Sequence, residues 1–415
     1  MQTRHCRWSC ILLALAIVIP SVALLGCEPL ATFTATPRSG LAPLAVQFAD
    51  ESTTPGCLPF TSRVWDFGNS DTSTDANPSR TYEQPGTYPV SLTVTTEKGS
   101  DTATEYIFVH NGEGPGVKWT QAVGEAPCAL RVVVFDNKLW MIGTFSLTEE
   151  RDMNEVWYSA DGTNWSLATA AAPWTAREGH TAVAFDNKLW ILGGDADGAM
   201  GDVWYSEDGE HWTEATDAAP WGPRDDHTSV VFDGKIWVIA GAQGNGAWPL
   251  ERIMNDAWYS EDGVNWSLAA ANAAFPARLW HASVVFDGKI WVMGGRTEDE
   301  RPGVLLNDVW SSPDGVNWTQ ATANASWEPR LGQPSAVFDN KLWVIGGSTS
   351  TDFAVFDDVW FSENGTDWIQ ATDAAPWGKL TWHAAPAFGD KLWVIGGATW
   401  TDQDGWMANY VWYSP

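Results

Sequence analysis

Short runs of alternating apolar and polar residues dominate this chain from residue 31 onward. Ala45–Phe48 and Tyr88–Val94 are two examples, and turn residues such as Gln84-Pro85-Gly86 separate such runs. Alternation with a period of two predicts half-buried β-strands. Other runs are continuously apolar, as in Leu189–Leu192, and these predict strands that are covered on both faces. The pattern as a whole indicates an all-β protein.

A second pattern, of longer period, covers residues 116–415. The motif Phe-Asp-Asn/Gly-Lys-Leu/Ile-Trp, or a close variant, recurs about every 50 residues, a period that indicates a propeller or a linear array of repeats. We number the repeats 1 to 6 by the phenylalanines that begin the motif. These are Phe135, Phe185, Phe232, Phe286, Phe338 and Phe388.

Each repeat contains two further tryptophan positions, which predict a third and a fourth strand. The Asp-Asn or Asp-Gly pair inside the motif favours a two-residue hairpin between the first two strands, because both residues tolerate positive φ. The third strand carries Val-Trp-Tyr-Ser or a near copy. Its tryptophans are Trp157, Trp204, Trp258, Trp310, Trp360 and Trp412. The fourth-strand tryptophans are Trp165, Trp212, Trp266, Trp318 and Trp368.

Repeat 6 ends before a fourth strand, and the matching segment lies at the front of the repeat region. Gly116–Thr120 contains Trp119, and the chain ends at Pro415 shortly after Trp412. We therefore predict that this N-terminal strand pairs with Val411–Ser414 and hides its edge. The expected architecture over residues 116–415 is a six-bladed β-propeller with four-stranded blades, closed by the N-terminal strand.

The repeats resemble kelch repeats. The residues that carry the resemblance are a motif of the type Arg-x-x-His, then Gly-Gly, then Asn-Asp before the third strand, and a later tryptophan. Repeat 4 shows them as Arg278 and His281, Gly294-Gly295, Asn307-Asp308 and Trp318. The resemblance implies a kelch-type propeller.

Residues 28–112 predict a separate β-sandwich of the immunoglobulin-like kind, because several short alternating strands are punctuated by turns at regular intervals. Two segments, Trp65-Asp66-Phe67-Gly68 and Tyr82–Val90, resemble the polycystic-kidney-disease (PKD) domain. Such domains in exported proteins commonly act as spacers or adhesion modules. We expect Trp65 to belong to the core.

The first 27 residues read as an export signal. Arg4 and Arg7 precede an apolar run from Ile11 to Gly26, and the run ends at Leu25-Gly26-Cys27, which resembles a bacterial lipoprotein signal. That resemblance implies a lipid on Cys27 and a location in the outer membrane or at the cell surface. An uncleaved anchor and ordinary signal cleavage are the alternatives.

The charge balance excludes some partners. The chain has 52 acidic residues against 23 lysines and arginines, for a formal net charge of −29. Such a chain is a poor candidate for phosphate neutralisation, so we expect no nucleic-acid partner and membrane contact only through the N-terminal lipid. Neither a metal site nor a cofactor is predicted.

The loops between the second and third strands differ in every repeat and share one face of the propeller with the fourth-to-first connections. Variable loops on a repeated scaffold are a natural site for recognition. Two sets of candidate ligand-binding residues precede the first strands on that face. They are Arg177, Arg224, Arg278 and Arg330, and His180, His227, His281 and His383. Clustered arginines could hold a carboxylate or a sulfate; alternatively, each side chain stabilises its own repeat.

Aromatic residues outside the repeat pattern complete the candidate site. Exposed tryptophans on loops suit stacking against sugars or anchoring of a protein partner, and the alternative is that they pack against other loops. The candidates are Trp248, Trp280, Trp382, Trp400, Trp406 and Phe353.

The favoured function is therefore non-catalytic: a lipid-anchored surface protein that binds a glycan or an extracellular protein through the variable-loop face. A sugar-acting enzyme is the alternative, because exported kelch propellers include sialic-acid mutarotases, and a propeller that serves only assembly is a third possibility. No catalytic residue is assigned from the sequence.

Overall fold

The computed structural model describes residues 29–54, 59–122, 126–128, 131–146, 149–243, 252–297, 303–349, 354–401, 404–407 and 409–415. Cys27 and the rest of the predicted export signal lie outside these residues. The regular structure of the described residues consists of β-strands.

The N-terminal domain is a sandwich of two sheets. Its strands are β1 (Phe33–Thr36), β2 (Ser39–Leu41), β3 (Leu44–Asp50), β4 (Ser62–Asp66), β5 (Thr72–Ser73), β6 (Ser79–Tyr82), β7 (Gly86–Thr96) and β8 (Gly99–His110). One sheet has the order β1-β3-β6 and the other β2-β8-β7-β4-β5. All pairs are antiparallel except β2 with β8.

The alternation in the sandwich strands places their apolar residues between the two sheets. Trp65 is fully buried there, and its ring packs edge-on against Phe33 at 5.0 Å between ring centroids. The indole nitrogen of Trp65 donates a hydrogen bond to the Asp75 carbonyl, which satisfies its only polar group. Trp65 is therefore a core residue, as expected.

Repeats 1 to 3 each form one four-stranded antiparallel sheet in chain order. Repeat 1 contains β10 (Val132–Phe135), β11 (Lys138–Ser146), β12 (Arg151–Ser159) and β13 (Ser166–Thr169), and β9 (Thr120–Gln121) precedes it. Repeat 2 contains β14 (Thr181–Phe185), β15 (Lys188–Asp195), β16 (Ala199–Ser206) and β17 (Trp212–Thr216). Repeat 3 contains β18 (Thr228–Phe232), β19 (Lys235–Gln243), β20 (Arg252–Ser260) and β21 (Trp266–Ala270).

Repeats 4 and 5 also form four-stranded sheets, and repeat 4 adds a small hairpin. Repeat 4 contains β22 (Ala282–Phe286), β23 (Lys289–Met293), β26 (Val309–Ser312) and β27 (Thr319–Thr322), and its hairpin is β24 (Arg296–Thr297) with β25 (Val304–Leu305). Repeat 5 contains β28 (Ser335–Phe338), β29 (Lys341–Ile345), β30 (Val359–Ser362) and β31 (Ile369–Thr372).

Repeat 6 differs at both edges of its sheet. Its strands are β32 (Leu392–Ile395) and β35 (Val411–Ser414), with a hairpin of β33 (Ala398–Thr401) and β34 (Asp404–Met407) between them. The outer partner of β35 is β9, in the register Trp412↔Gln121 and Tyr413↔Thr120. The first strand is reduced to isolated bridges at Ala384 and Ala387, because Pro386 between them has no N–H to donate.

The two-residue hairpins of the motif have the left-handed backbone that the sequence predicts. In repeat 2, Asp186 and Asn187 have φ of 47° and 56°, and in repeat 3 Asp233 and Gly234 have φ of 50° and 67°. Positive φ at both central residues defines the type I′ turn, whose twist matches that of the flanking strands.

The second-strand tryptophans of several repeats pack against a turn glycine of the following repeat. A methyl group added at Gly209 of repeat 2 would lie 2.0 Å from the Trp140 indole of repeat 1, so this turn can carry only glycine. The same contact joins Trp190 to Gly263 and Trp393 of repeat 6 to Gly162 of repeat 1. The large tryptophan content is thus largely a matter of packing between sheets.

The sandwich contacts the outer strands of the repeat region. Phe108 of β8 packs edge-on against Phe361 of β30, with ring centroids 5.5 Å apart. The Ser326 hydroxyl donates to the Glu105 carboxylate at 3.3 Å. Tyr106 of β8 is also hydrogen-bonded to the side chain of Asp367, so aromatic packing and side-chain hydrogen bonds together join the two domains at repeat 5.

Candidate functional site

The variable loops and the candidate residues lie at the same end of the sheets. Single bridges pair the segment before each first strand with the end of the second strand of the same repeat, as in Glu178↔Asp195 and Asp225↔Ala242. Each second-to-third loop therefore begins beside the residues that precede the first strand. This end carries the candidate arginines and histidines.

The four candidate arginines are buried, and each forms an ion pair with an aspartate of its own repeat. Arg278 donates from Nη1 and Nη2 to the two carboxylate oxygens of Asp308, both at 2.8 Å, and from Nη1 to the Gly294 carbonyl at 2.9 Å. Its side chain is fully buried. The equivalent pairs are Arg177 with Asp202, Arg224 with Asp256 and Arg330 with Asp358.

These bidentate pairs use the donors that would hold an anion. The arrangement matches the alternative in which each arginine stabilises its own repeat, and the arginines do not line the channel cavity described below. The sequence placed them at the correct end of the sheet but could not show that each side chain turns back into the repeat.

Three of the candidate histidines join one repeat to the preceding one. His180 donates from Nε2 to the Ile142 carbonyl at 2.9 Å, and Nε2 of His227 and His281 is hydrogen-bonded to the hydroxyls of Thr181 and Thr228. In repeat 5, Gln333 replaces the histidine and donates to the Met293 carbonyl. These side chains therefore act as links between sheets.

His383 is the exception among the four. Its side chain is 3% exposed, and neither ring nitrogen has a hydrogen-bond partner. The preceding repeat has Pro334 where repeats 2 and 3 have the threonines that form this hydrogen bond, so the usual partner is missing. Burial lowers the pKa of His383 to about 3, which keeps the imidazole neutral.

Backbone hydrogen bonds join the residues that immediately precede the histidine position in repeats 2 to 6. From repeat 3 to repeat 6, the N–H of each of these residues donates to the carbonyl of the equivalent residue one repeat earlier, at 2.9 to 3.3 Å. The donors and acceptors are Gly179, Asp226, Trp280, Gly332 and Trp382. All five have left-handed φ, between 53° and 62°.

Glycine is the residue that this conformation favours, and repeats 2 and 5 have it. Repeats 3, 4 and 6 instead place Asp226, Trp280 and Trp382 there, at a cost of roughly 1–3 kcal/mol each. The Trp382 indole lies over Gly332, where an added methyl would be 2.5 Å from its ring. Non-glycine residues in strained conformations are typical of functional sites.

Asp226, Trp280, Gly332 and Trp382 of this series line a cavity of about 340 Å³, to which all six repeats contribute; we call it the channel cavity and its opening the channel mouth. This volume lies at the lower end of the range of ~300–1,000 Å³ that is usual for small-molecule sites. Its polar and aromatic lining residues include Arg131, Asp226, Trp280, Trp382 and His383. The cavity therefore combines two indoles with a carboxyl, a guanidinium and an unpartnered imidazole.

Two carboxyl groups near the channel mouth, those of Asp225 and Asp226, have raised pKa values. Burial, together with the charge of Asp225, raises the pKa of Asp226 well above its ordinary value, and the Trp280 indole donates a hydrogen bond to this carboxyl. Burial and the charges of Asp195 and Glu178 raise the pKa of Asp225 to about 6. Arg131 partly offsets these effects, since its charge lowers the pKa of Asp226 and of Glu178.

The remaining aromatic candidates fall into two groups. Trp400 and Trp406 lie on the facing strands of the β33–β34 hairpin, where Trp400 pairs with Gly405 and Thr399 with Trp406. Trp248 and Phe353 lie outside the described residues. Among the candidate aromatic side chains that the structure describes, Trp280 and Trp382 line the channel cavity.

Sequence reasoning missed Asp226 and Arg131. A signal for Asp226 was present, because the position before the histidine is glycine in repeats 2 and 5, as expected for a left-handed residue. A non-glycine residue at such a position marks a side chain that is retained despite strain. Arg131 is found only in repeat 1 and had no repeat pattern to reveal it.

Two searches of the described residues gave no candidate. No group of three or more His, Cys, Asp or Glu side chains among them is arranged to hold a metal ion. Within the same residues, no helix has the length and apolar character needed to cross a membrane.

Comparisons with curated proteins find short matches. Residues 27–110 match the model of the PKD domain. Collagenase ColQ1 of Bacillus cereus (strain Q1) is 36% identical over 69 residues, and the pre-pro-metalloprotease PrtV of Vibrio cholerae serotype O1 (strain M66-2) is 53% identical over 49 residues. These matches cover 17% and 12% of this chain but only 7% and 5% of the relatives.

The repeat region matches both a family model and a solved structure. The structure, titled "Structure of YjhT", aligns with a TM-score of 0.55 at 15% identity and covers 70% of this chain and 99% of that one, which shows a shared fold. The model described as the KLHDC2/KLHL20/DRC7 Kelch-repeats domain matches residues 129–347, just over half of the chain. The chain thus carries a PKD domain followed by kelch repeats, and it belongs to the family of Kelch-repeat proteins.

Proposed function

We propose that this protein is an exported surface protein that binds a neutral saccharide at the channel mouth. The observation that carries the proposal is the placement of Trp280 and Trp382 at strained left-handed positions beside the cavity. Indole faces stack on the apolar faces of sugar rings, and the imidazole of His383 and the carboxyl of Asp226 supply polar groups for hydroxyls.

The charges of the site favour a neutral saccharide over an acidic one. The four arginines that would attract a carboxylate are held in buried pairs, and the chain has a formal net charge of −29. Arg131 lies among the charges of Asp226 and Glu178. An anionic sugar would therefore meet a predominantly acidic rim.

The proposal includes a closed, six-bladed propeller on a lipid anchor. The pairing of β9 with β35 and the contact of Trp393 with Gly162 support a ring in which repeat 6 meets repeat 1. The sequence around Cys27 supports the anchor. The PKD domain, which is similar to segments of a bacterial collagenase and of a bacterial pre-pro-metalloprotease, supports export, and here the sandwich would hold the propeller away from the membrane.

A glycan-array screen of residues 28–415 tests the binding. We expect selective retention on neutral saccharides, and about a tenfold or greater loss for Trp280→Ala and for Trp382→Ala, as is usual for aromatic anchors. Leu268→Ala, at an exposed position on β21, is the matched control. Unchanged retention in both tryptophan variants would refute the channel-mouth site.

The hairpin tryptophans provide an independent test of the variable-loop face. The double variant Trp400→Ala, Trp406→Ala is expected to abolish retention if the ligand extends from the channel mouth over the β33–β34 hairpin. Retention at the level of the unmodified protein would restrict the ligand to the channel mouth.

A sugar-acting enzyme is the second candidate, and one observation favours it. The cavity holds a carboxyl with a raised pKa and a neutral imidazole, and such pairs can act as general acid and general base. Mutarotation of a reducing sugar needs one of each. NMR measurement of anomer exchange tests it: acceleration that is lost in Asp226→Asn supports catalysis, and an unchanged exchange rate excludes it for that sugar.

A further inference from the structure

Repeat 1 keeps half of the ion pair that stabilises repeats 2 to 5. The arginine of each pair lies eight residues before the motif phenylalanine, and its aspartate lies two residues before the third-strand tryptophan. In repeat 1 these positions are Pro127 and Glu155, and in repeat 6 they are Leu380 and Tyr410. Repeat 6 has therefore lost both charges, whereas repeat 1 has lost only the cation.

Glu155 is oriented like its counterparts. Its Oε2 accepts a hydrogen bond from the Trp157 indole at 2.9 Å and another from the Thr144 hydroxyl at 3.1 Å. In repeat 2, Asp202 accepts the same bond from the Trp204 indole at 2.7 Å. No lysine, arginine or histidine of the described residues forms an ion pair with Glu155, although its carboxylate is only partly exposed.

A cavity of about 440 Å³ lies beside this carboxylate. Its lining includes Glu155, Cys128, Phe145, Trp157 and Trp165. Pro127 also lines this cavity, and in repeats 2 to 5 its position carries the much larger arginine.

Repeat 1 also lacks an aromatic side chain that repeats 2 to 5 share. Repeats 2 to 5 have an aromatic residue three positions before the arginine, and in repeat 2 this residue, Trp174, packs edge-on against Trp212 at 5.9 Å between centroids. The sequence has Gly124 at that position in repeat 1. The buried Nε1 of Trp165 has no hydrogen-bond acceptor among the described residues, whereas the Trp212 indole donates to the Gly209 carbonyl at 3.2 Å.

We propose that this cavity binds a guanidinium group, which takes the place of the arginine that repeat 1 lacks. In repeats 2 to 5 the arginine donates from both terminal nitrogens to one carboxylate and from Nη1 to a backbone carbonyl sixteen residues further on. Repeat 1 offers Glu155 for the first interaction and has Gly143 at the position of the second. A planar guanidinium fits two parallel acceptors, whereas an ammonium acts as a point charge.

The aromatic walls favour the same chemistry. Trp157 and Trp165 can stack against a flat, weakly hydrated cation, and the net charge of −29 attracts it. The ligand is an arginine side chain of a polypeptide or a free guanidino compound. This site is separate from the channel mouth and does not depend on the saccharide proposal.

Titration of the full chain with L-argininamide, followed by calorimetry and ligand-observed NMR, tests the site. We expect saturable binding, at least about tenfold weaker binding of L-lysinamide and L-citrullinamide, and a loss of about tenfold or more in Glu155→Gln. Glu214→Gln, an exposed carboxylate on β17, is the control and should bind like the unmodified protein. Absence of saturable binding, or equal binding in Glu155→Gln, overturns the proposal.

A second variant covers the case in which Glu155→Gln fails to fold. Pro127→Arg supplies a guanidinium from the chain itself, so it should abolish argininamide binding and raise the melting temperature. Persistent binding in a folded Pro127→Arg protein overturns the proposal. The peptide Gly-Arg-Gly distinguishes the sources: affinity above that of argininamide identifies a polypeptide, and equal affinity identifies a free guanidino compound.

Discussion

The buried arginine–aspartate pairs allow a prediction whose size follows from the structure. In Arg278→Leu, the Asp308 carboxylate would remain 6% exposed without its cation, and the Gly294 and Pro276 carbonyls would lose the donors that now lie at 2.9 and 3.1 Å. Removal of one partner from a buried ion pair typically costs about 3–5 kcal/mol, because the remaining charge is uncompensated. We expect a loss in that range.

The companion variant separates the uncompensated charge from lost packing. Arg278→Leu combined with Asp308→Asn removes both charges and leaves an amide oxygen to accept the Trp310 indole bond, now 2.7 Å long. The double variant should therefore be more stable than Arg278→Leu alone. Repeat 6 already shows that a repeat can form without the pair, since its buried Leu380 occupies the arginine position.

Urea unfolding followed by far-UV circular dichroism measures these differences, with the midpoint compared at a fixed slope. A loss below about 1 kcal/mol in Arg278→Leu would refute the account of a desolvated pair. A double variant less stable than the single one would refute the uncompensated charge as the cause. Saccharide retention should survive in both proteins if they fold, because Arg278 does not line the channel cavity.

Three further predictions concern the acidic rim, the channel mouth and the ends of the repeat region. Asp225→Asn should stabilise the protein by about 1–2 kcal/mol at pH 8 and little at pH 4 in urea titrations, because the pKa of Asp225 is raised to about 6 and the native state therefore loses stability as the pH rises from 4 through 6. Asp217→Asn is the control, and a gain in stability at pH 4 would contradict the reasoning. Gly332→Ala should lower the free energy of unfolding by about 1–3 kcal/mol, and by less in a Trp382→Gly background, because the added methyl group meets the Trp382 indole. Equal losses in the two backgrounds would exclude that contact as the cause. Trp119→Ala should lower the free energy of unfolding by about 2–3 kcal/mol, because it removes the edge contact with Trp377, whose ring centroid is 4.3 Å away. An unchanged urea midpoint would argue against a structural role for the β9 segment.

The strands and hairpins could be predicted because their signals are local. The Asp-Asn and Asp-Gly pairs specify left-handed turns by themselves, and the apolar runs specify strands covered on both faces. The first strand of repeat 6 departs from expectation, and Pro386 accounts for it locally as well. The sequence predicts the N-terminal strand at Gly116–Thr120, whereas the structure forms it at Thr120–Gln121. Family models for the PKD domain and the kelch repeats agree with the resemblances on the same residues.

The candidate site could be predicted only in part, because side-chain direction is not a local property. The spacing placed Arg278 and His281 at the correct end of the sheet, but a repeated arginine can face the channel or turn back into its repeat. The Asn307-Asp308 pair that decides this was visible in the sequence as part of the kelch resemblance. Its pairing with Arg278 becomes evident only when the first and third strands are brought together.

The departures of individual repeats from their own pattern are the features that point to binding. A residue that recurs from repeat to repeat has a structural role that the repeats share, such as the hydrogen bonds by which His227 and His281 link neighbouring sheets. Trp382 and Glu155 have no such shared role, because glycine occupies the first position in repeats 2 and 5, and an arginine pairs with the carboxylate at the second position in repeats 2 to 5. Backbone strain at Trp382 and the unpaired carboxylate of Glu155 both lower the stability of the fold, and the propeller scaffold requires neither. A ligand at each position would account for their retention, which is why the two binding experiments are directed at these residues.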